Sequence, residues 1–336
     1  MTFHSGTEAK MHRRQFMRMT AGLAAFGAVS GILPGIARAS IEATTTTESG
    51  ALDAAAFHAA RKFVATPFGR IAMVERGTGD AALFLHGFPL NGFQWRGALE
   101  RLSPHRRCIA PDFLGLGYTE VAAGQDVAPA AQVGMLAALM DELSIDRADL
   151  VANDSGGAVA QLFLARYPQR VRSLLLTNCD TEIDCPPPAL KPVIELARDG
   201  QFVTQWLAPW LADKALARSP QGLGGMTFTF PAKLADETID MYLGPLVRDP
   251  VRTHAYAVAL DSNVLAGVEA ALARNDVPAR IVWGTGDTIF SPASPIYLER
   301  TLADSRGVRR VQGAKLFFPE EFPDLIAEEA RKLWRI

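Results

Sequence analysis

Histidine is scarce in this 336-residue chain: there are 6, and none follows His254. The C-terminal stretch beyond it therefore offers no imidazole for acid–base work or metal binding. Cysteine is scarcer still, with 3 residues, Cys108, Cys179 and Cys185, which excludes a disulfide-built scaffold. In an oxidising compartment Cys179 and Cys185 could pair; buried free thiols are the alternative, and geometry decides between them. Neither charge sign dominates, with 34 basic and 36 acidic side chains and a formal charge of −2, so nothing in the balance points to nucleic acid. There is no clustered metal-ligand spacing and no phosphate-cradling glycine loop. The glycines at Gly284 and Gly286 lack the dinucleotide spacing. No metal and no cofactor are expected.

The composition, 49% hydrophobic and 21% charged, is that of a globular protein with material for one large α/β domain or two smaller ones. The first residues read as a leader. His12-Arg13-Arg14-Gln15-Phe16-Met17-Arg18 resembles a twin-arginine export motif, and Ala37-Arg38-Ala39 fits a small-x-small cleavage site. The apolar stretch between them, Ala21 to Ile36, holds 4 glycines and a proline and is too short for a good membrane span. The expectation is a twin-arginine signal over 1–39, cleavage after Ala39, a periplasmic or secreted protein, and no stable membrane anchor afterwards. Residues 40–60, with four consecutive threonines, read as a linker running into a short helix.

Beyond it, short apolar runs alternate with helical patterns. Arg61–Glu75 predicts an edge hairpin around Thr66-Pro67-Phe68-Gly69. Further strands are expected at Ala81–Leu85, Arg107–Pro111, Asp149–Ala152, Val171–Thr177, Ala279–Trp283 and Val308–Gln312. Helices are expected at Phe93–Leu102, Pro129–Leu143, after residue 154, and at Glu321–Trp334. This alternation predicts a mostly parallel sheet with helices on both faces. The rhythm stops from 181 to 268, where apolar residues recur at helical spacing. That stretch predicts a helical cap over the carboxyl ends of the strands, with 61–180 and 269–336 forming the core.

The most informative segment is Ala148-Asp-Leu-Val-Ala-Asn-Asp-Ser-Gly-Gly-Ala-Val-Ala160: a buried strand, a small-residue turn and a helix. This is the form of a nucleophile elbow. The elbow needs small residues two before and two after the nucleophile. Centring on Asp154 supplies Ala152 and Gly156; centring on Ser155 supplies Asn153 and Gly157, a poorer fit. A carboxylate there implies attack on an alkyl carbon and an aspartyl ester. The plainer alternative is an Asp that only caps the helix.

Four motifs in order, His86-Gly87-Phe88-Pro89, Pro111-Asp-Phe-Leu-Gly-Leu-Gly-Tyr118, Asn153-Asp-Ser-Gly-Gly157 and Trp283-Gly-Thr-Gly-Asp287, resemble the α/β-hydrolase superfamily over roughly residues 60–334. The resemblance is to its epoxide hydrolase and haloalkane dehalogenase branch. It implies an oxyanion hole from the N–H groups of Phe88 and Ser155 and an acid, Asp287, that would orient a histidine, with Asp180 as the other position for that acid. It also implies a small-molecule substrate.

The pattern breaks at the histidine. It should stand in Gly313-Ala-Lys-Leu-Phe-Phe-Pro-Glu-Glu321, where ungapped alignment puts Leu316 in its place, beside Lys315. A carboxylate nucleophile needs no base for its first step, but hydrolysis of the ester does. His254 is the leading replacement, with His86 and Lys315 behind it; Lys315 would have to lose its charge through burial. Tyr242 and Tyr256 could donate a proton to an opening epoxide, or simply pack in the core. Branch dehalogenases carry a Trp after the nucleophile, where this chain has Ser155, and a halide-binding residue where it has Phe88. That favours an epoxide or another electrophile. Two alternatives stay open: a non-hydrolytic lyase, isomerase or cyclase on the same scaffold, and a ligand-binding degenerate hydrolase. Oligomeric state leaves no signal in the sequence.

Overall fold

The computed structural model describes residues 52–336. The leader and most of the linker expected from the sequence lie outside the described residues. Leu52 onward begins with a short helix, Ala54–Ala59, whose first turn is capped by the Asp53 carboxylate accepting from Ala56 N.

Eight strands form one sheet: β1 (Lys62–Thr66), β2 (Gly69–Arg76), β3 (Ala81–Leu85), β4 (Arg107–Pro111), β5 (Ala148–Asp154), β6 (Val171–Cys179), β7 (Pro278–Gly284) and β8 (Asp304–Val311). Their order is β1-β2-β4-β3-β5-β6-β7-β8. β1 and β2 form the expected hairpin, closed by the Thr66–Gly69 pair, and β2 runs antiparallel to β4. Every other pairing is parallel. β3 and β5 are buried along their whole length; in β3 this matches an unbroken apolar run with both faces covered. Helix Arg96–Leu102 packs on Pro323–Trp334, and helix Pro129–Glu142 on Ser155–Arg166.

Two expectations are corrected. The helix foreseen over Phe93–Leu102 splits into a 3₁₀ turn, Gly92–Trp95, and the α-helix Arg96–Leu102. The Asn91 carboxamide accepts from Phe93 N and starts the tighter turn. The last strand begins earlier than Val308. Its first residues are polar or glycine, as suits an edge strand, so hydrophobicity marked only its end.

Chain order reverses around β3, which lies between β4 and β5. Ligands in open α/β sheets bind at such a switch point, beyond the carboxyl ends of the strands. The loop after β3 and the turn after β5 both open there. Between β6 and β7 every described element is helical, including Lys191–Arg198, Asp236–Arg248 and Pro250–Ala259. This segment docks on the strand-end loops through Asn91 Nδ2 to Met241 O at 2.7 Å, and through the Phe88 ring, 5.5 Å from Tyr256 and 5.8 Å from Phe202.

Candidate active site

The turn from β5 into helix Ser155–Arg166 places Asp154 at φ 55° and ψ −135°. A non-glycine residue there is strained by roughly 1–3 kcal/mol, and such strain concentrates at functional positions. Two glycines make the turn possible. A Cβ on Gly156 would lie 2.4 Å from His86 O, and one on Gly87 would lie 2.2 Å from Asp154 Cβ. The first lets the helix approach the β3 loop; the second leaves room for the Asp154 side chain.

Asp154 Oδ1 accepts two backbone hydrogen bonds, from Phe88 N at 3.0 Å and from Ser155 N at 2.5 Å. These are the two N–H groups that the resemblance assigns to an oxyanion hole. Both fall on the same oxygen, and Oδ2 takes no backbone bond. Burial pushes the Asp154 carboxyl up to about 6, against the backbone donors and the Ser155 hydroxyl, which favour the charged form. It is therefore mostly ionised at neutral pH.

Asp154 lines a cavity with about 40 Å³ of free space. Its walls are largely apolar, from Phe88, Leu190, Leu260, Val264 and Phe290 among others, and its polar members include Ser155, Asp180 and Cys185. No tryptophan lines it. Tyr256 stands beside it: its hydroxyl is 3.3 Å from Ser155 Oγ and its ring stacks on Phe88. Burial raises its phenol, as do the charges of Asp154 and Asp180, so it stays a proton donor.

Tyr242 lies elsewhere. Its hydroxyl donates to Glu320 Oε2 at 2.5 Å, and Glu320 also pairs with Arg96 at 2.8 Å. That buried network ties the helical segment to the loop after β8. His254 is half-buried in the helical segment and is not among the cavity-lining residues; its Nε2 accepts from Val203 N at 3.2 Å. Burial lowers its pKa, consistent with a neutral acceptor. His86 is fully buried and committed at both nitrogens. Nε2 accepts from Phe113 N at 3.0 Å, so Nδ1 carries the proton and donates to Gly87 O at 3.0 Å. Lys315 Nζ donates to Gly225 O at 2.5 Å and does not line the cavity. Among the described residues no histidine or lysine lines the cavity with Asp154.

Asp287 follows β7. Its Oδ2 accepts from Asn178 Nδ2 at 2.8 Å and its Oδ1 from Ile289 N at 2.8 Å. Burial pushes its carboxyl up to about 6 as well, and the Asp154 charge adds to this. An asparagine amide and a backbone N–H thus hold this carboxylate. Leu316 is buried, and its carbonyl accepts from Asn153 Nδ2 at 3.1 Å, so this loop reaches the residue preceding Asp154.

Two residues emerge that the motifs underplayed. Asp180 follows β6 and is 6% exposed, on the cavity wall. Burial and the Asp154 charge hold its carboxyl well above the usual range. Cys185 also lines the cavity, and its thiol meets the Asp180 carboxyl; burial pushes it up to about 12. Cys179 and Cys185 are both free. The available sequence signal was the carboxylate ending a strand beside the elbow strand; nothing local announced Cys185.

Residues 81–322 match the family model described as the alpha/beta hydrolase fold. Haloalkane dehalogenase 2 of Mycobacterium tuberculosis is 27% identical over 288 residues, covering 77% of this chain and 89% of that protein. The 2-hydroxy-6-oxo-2,4-heptadienoate hydrolase of Pseudomonas putida is 40% identical, over 103 residues only; the match spans 30% of this chain and 37% of that relative. The solved epoxide hydrolase CorEH superposes with a TM-score of 0.67 at 18% identity, covering 82% of this chain and 98% of the other; it speaks to the fold alone.

Proposed function

From the premise that the chain belongs to the α/β-hydrolase fold family, we propose that it is a hydrolase acting on a small apolar electrophile through Asp154, with epoxides as the favoured class. The observation that carries this is the pair of backbone N–H groups, Phe88 and Ser155, converging on one oxygen of a buried carboxylate at the cavity. Holding Oδ1 orients Oδ2 as the attacking oxygen. Once the ester has formed, the same donors stabilise the oxyanion that appears when water attacks its carbonyl.

An epoxide fits the surroundings better than a halide. Among the described residues the cavity wall offers no indole N–H for a departing halide, whereas the Tyr256 phenol stands beside it as a hydrogen-bond donor for an opening ring oxygen. The apolar walls suit a substrate without charge. Export by the twin-arginine leader is part of this proposal, and N-terminal sequencing of periplasmic protein beginning at Ser40 would support it.

The test is intact-protein mass after incubation with a panel of epoxides and alkyl halides, beside Asp154→Ala. The expected result is an adduct or product that the variant loses by at least about a thousandfold, as removal of a nucleophile usually costs. Unchanged turnover in the variant would reject the nucleophile.

A further inference from the structure

Resting on the reading of Asp154 as nucleophile, we propose that Asp180 is a second catalytic carboxyl, which protonates the oxygen leaving in the first step and takes a proton from water in the second. It would supply both proton transfers from one residue, in a cavity that no imidazole lines among the described residues.

The geometry begins in the sheet. Asp154 pairs with Cys179 across β5 and β6, so Asp180 is the next residue beside the elbow. Both carboxylates line the same cavity, and both are nearly buried, at 8% and 6% exposure. The Asp180 backbone is held by Gln161 Nε2, which donates to its carbonyl at 2.8 Å. Adjacent carboxylates in an apolar site do not both ionise readily, so the pair tends to hold one negative charge. Asp154 has two backbone donors from Phe88 and Ser155 to stabilise that charge, while the Asp180 carboxyl meets the Cys185 thiol and its own backbone N–H, and also feels the Asp184 carboxylate. The charge therefore sits on Asp154, and Asp180 is the acid.

The reaction then moves that charge. Asp154 Oδ2 attacks an epoxide carbon, the carbon–oxygen bond breaks, and the ring oxygen takes the Asp180 proton. Asp154 is now a neutral ester and Asp180 a carboxylate, so the charge is conserved. In the second step Asp180 takes a proton from water while the water oxygen bonds to the ester carbonyl carbon. The tetrahedral oxyanion, held by Phe88 N and Ser155 N, expels the alkoxide. That alkoxide takes the proton of the new Asp154 carboxyl. The products are a diol, ionised Asp154 and protonated Asp180, the starting state.

The two roles separate with two probes, styrene oxide and 1-bromobutane, because bromide leaves without a proton. Single-turnover mass spectrometry would follow Asp154 alkylation and ester decay in the full chain and in Asp180→Asn. The proposal expects alkylation by 1-bromobutane to stay within twofold, which also shows that the variant is folded. Alkylation by styrene oxide should slow at least a hundredfold, and decay of the ester it forms, the one whose formation leaves Asp180 ionised, should slow at least a hundredfold. Asp180→Glu should recover part of both losses. Equal slowing of the two alkylations in Asp180→Asn, or unchanged decay of the ester formed from styrene oxide, would overturn the proposal while leaving Asp154 as nucleophile. Failure of the unaltered protein to be alkylated by either probe would remove the reading of Asp154 and this proposal with it.

Discussion

The two ends of the catalytic framework have different fates in this chain. At the β3 and β5 ends, everything a carboxylate nucleophile needs is in place: the strained turn, the clearance at Gly87 and two converging N–H groups. At the β7 and β8 ends Asp287 bonds an asparagine amide, and the loop beyond β8 carries Leu316. The two halves serve different chemical steps. Forming an aspartyl ester requires a placed, ionised carboxylate; hydrolysing it requires a base for water. A protein can keep the first set of contacts without the second, because the two sets share little more than the sheet.

The sharpest way to break the contrast is to restore the missing group. Leu316→His should accelerate decay of the Asp154 ester by about a hundredfold, within the usual range for general base catalysis, with little change in its formation. Single-turnover mass measurements read both rates; no acceleration would show that the loop is not the deficient half. A tenfold effect is expected from Tyr256→Phe on alkylation by an epoxide. Tyr242→Phe should leave that rate alone and instead lower stability by about 1–2 kcal/mol, since it removes one of the two partners of a buried carboxylate; denaturant melts would show this.

Acid should silence the nucleophile early. With Asp154 pushed up to about 6, alkylation should be half-maximal near pH 6 and fall below it, not near the ordinary 3.8. The sign for stability is opposite. Between those two values the folded chain holds more protons than the unfolded one, so the contribution of Asp154 to stability declines as pH rises from about 4 to about 6. Asp154→Asn should therefore raise the melting temperature at pH 7.5, by stabilisation on the order of 1–3 kcal/mol, and lose that advantage near pH 4. An unaltered melting temperature at pH 7.5 would argue against a carboxylate held at a cost in stability. The smallest effect belongs to His254→Ala, which should change turnover less than twofold, because its ring is spent on Val203 N.

Much of the fold was legible in the sequence because β-strands buried on both faces advertise themselves as short apolar runs, as Ala81–Leu85 does. Asp154 was legible for a related reason: Ala152 and Gly156 answer a steric demand that is local to one turn. The edge strand β8 was harder, since half-buried polar residues carry no strong period. The choice among His86, His254, Lys315, Tyr242 and Tyr256 was not local at all. Each is a plausible acid or base by chemistry, and only position separates Tyr256, beside Ser155, from Tyr242, committed to Glu320.

By itself, then, the sequence determined the order of strands and helices and the elbow turn, because these depend on neighbours within a few residues along the chain. Only the tertiary structure decided which titratable groups share the cavity. Asp154, Asp180 and Cys185 meet there because parallel pairing sets the ends of β5 and β6 side by side and the chain beyond β6 folds back over them. Their proton affinities follow from that common burial, which no single segment could announce.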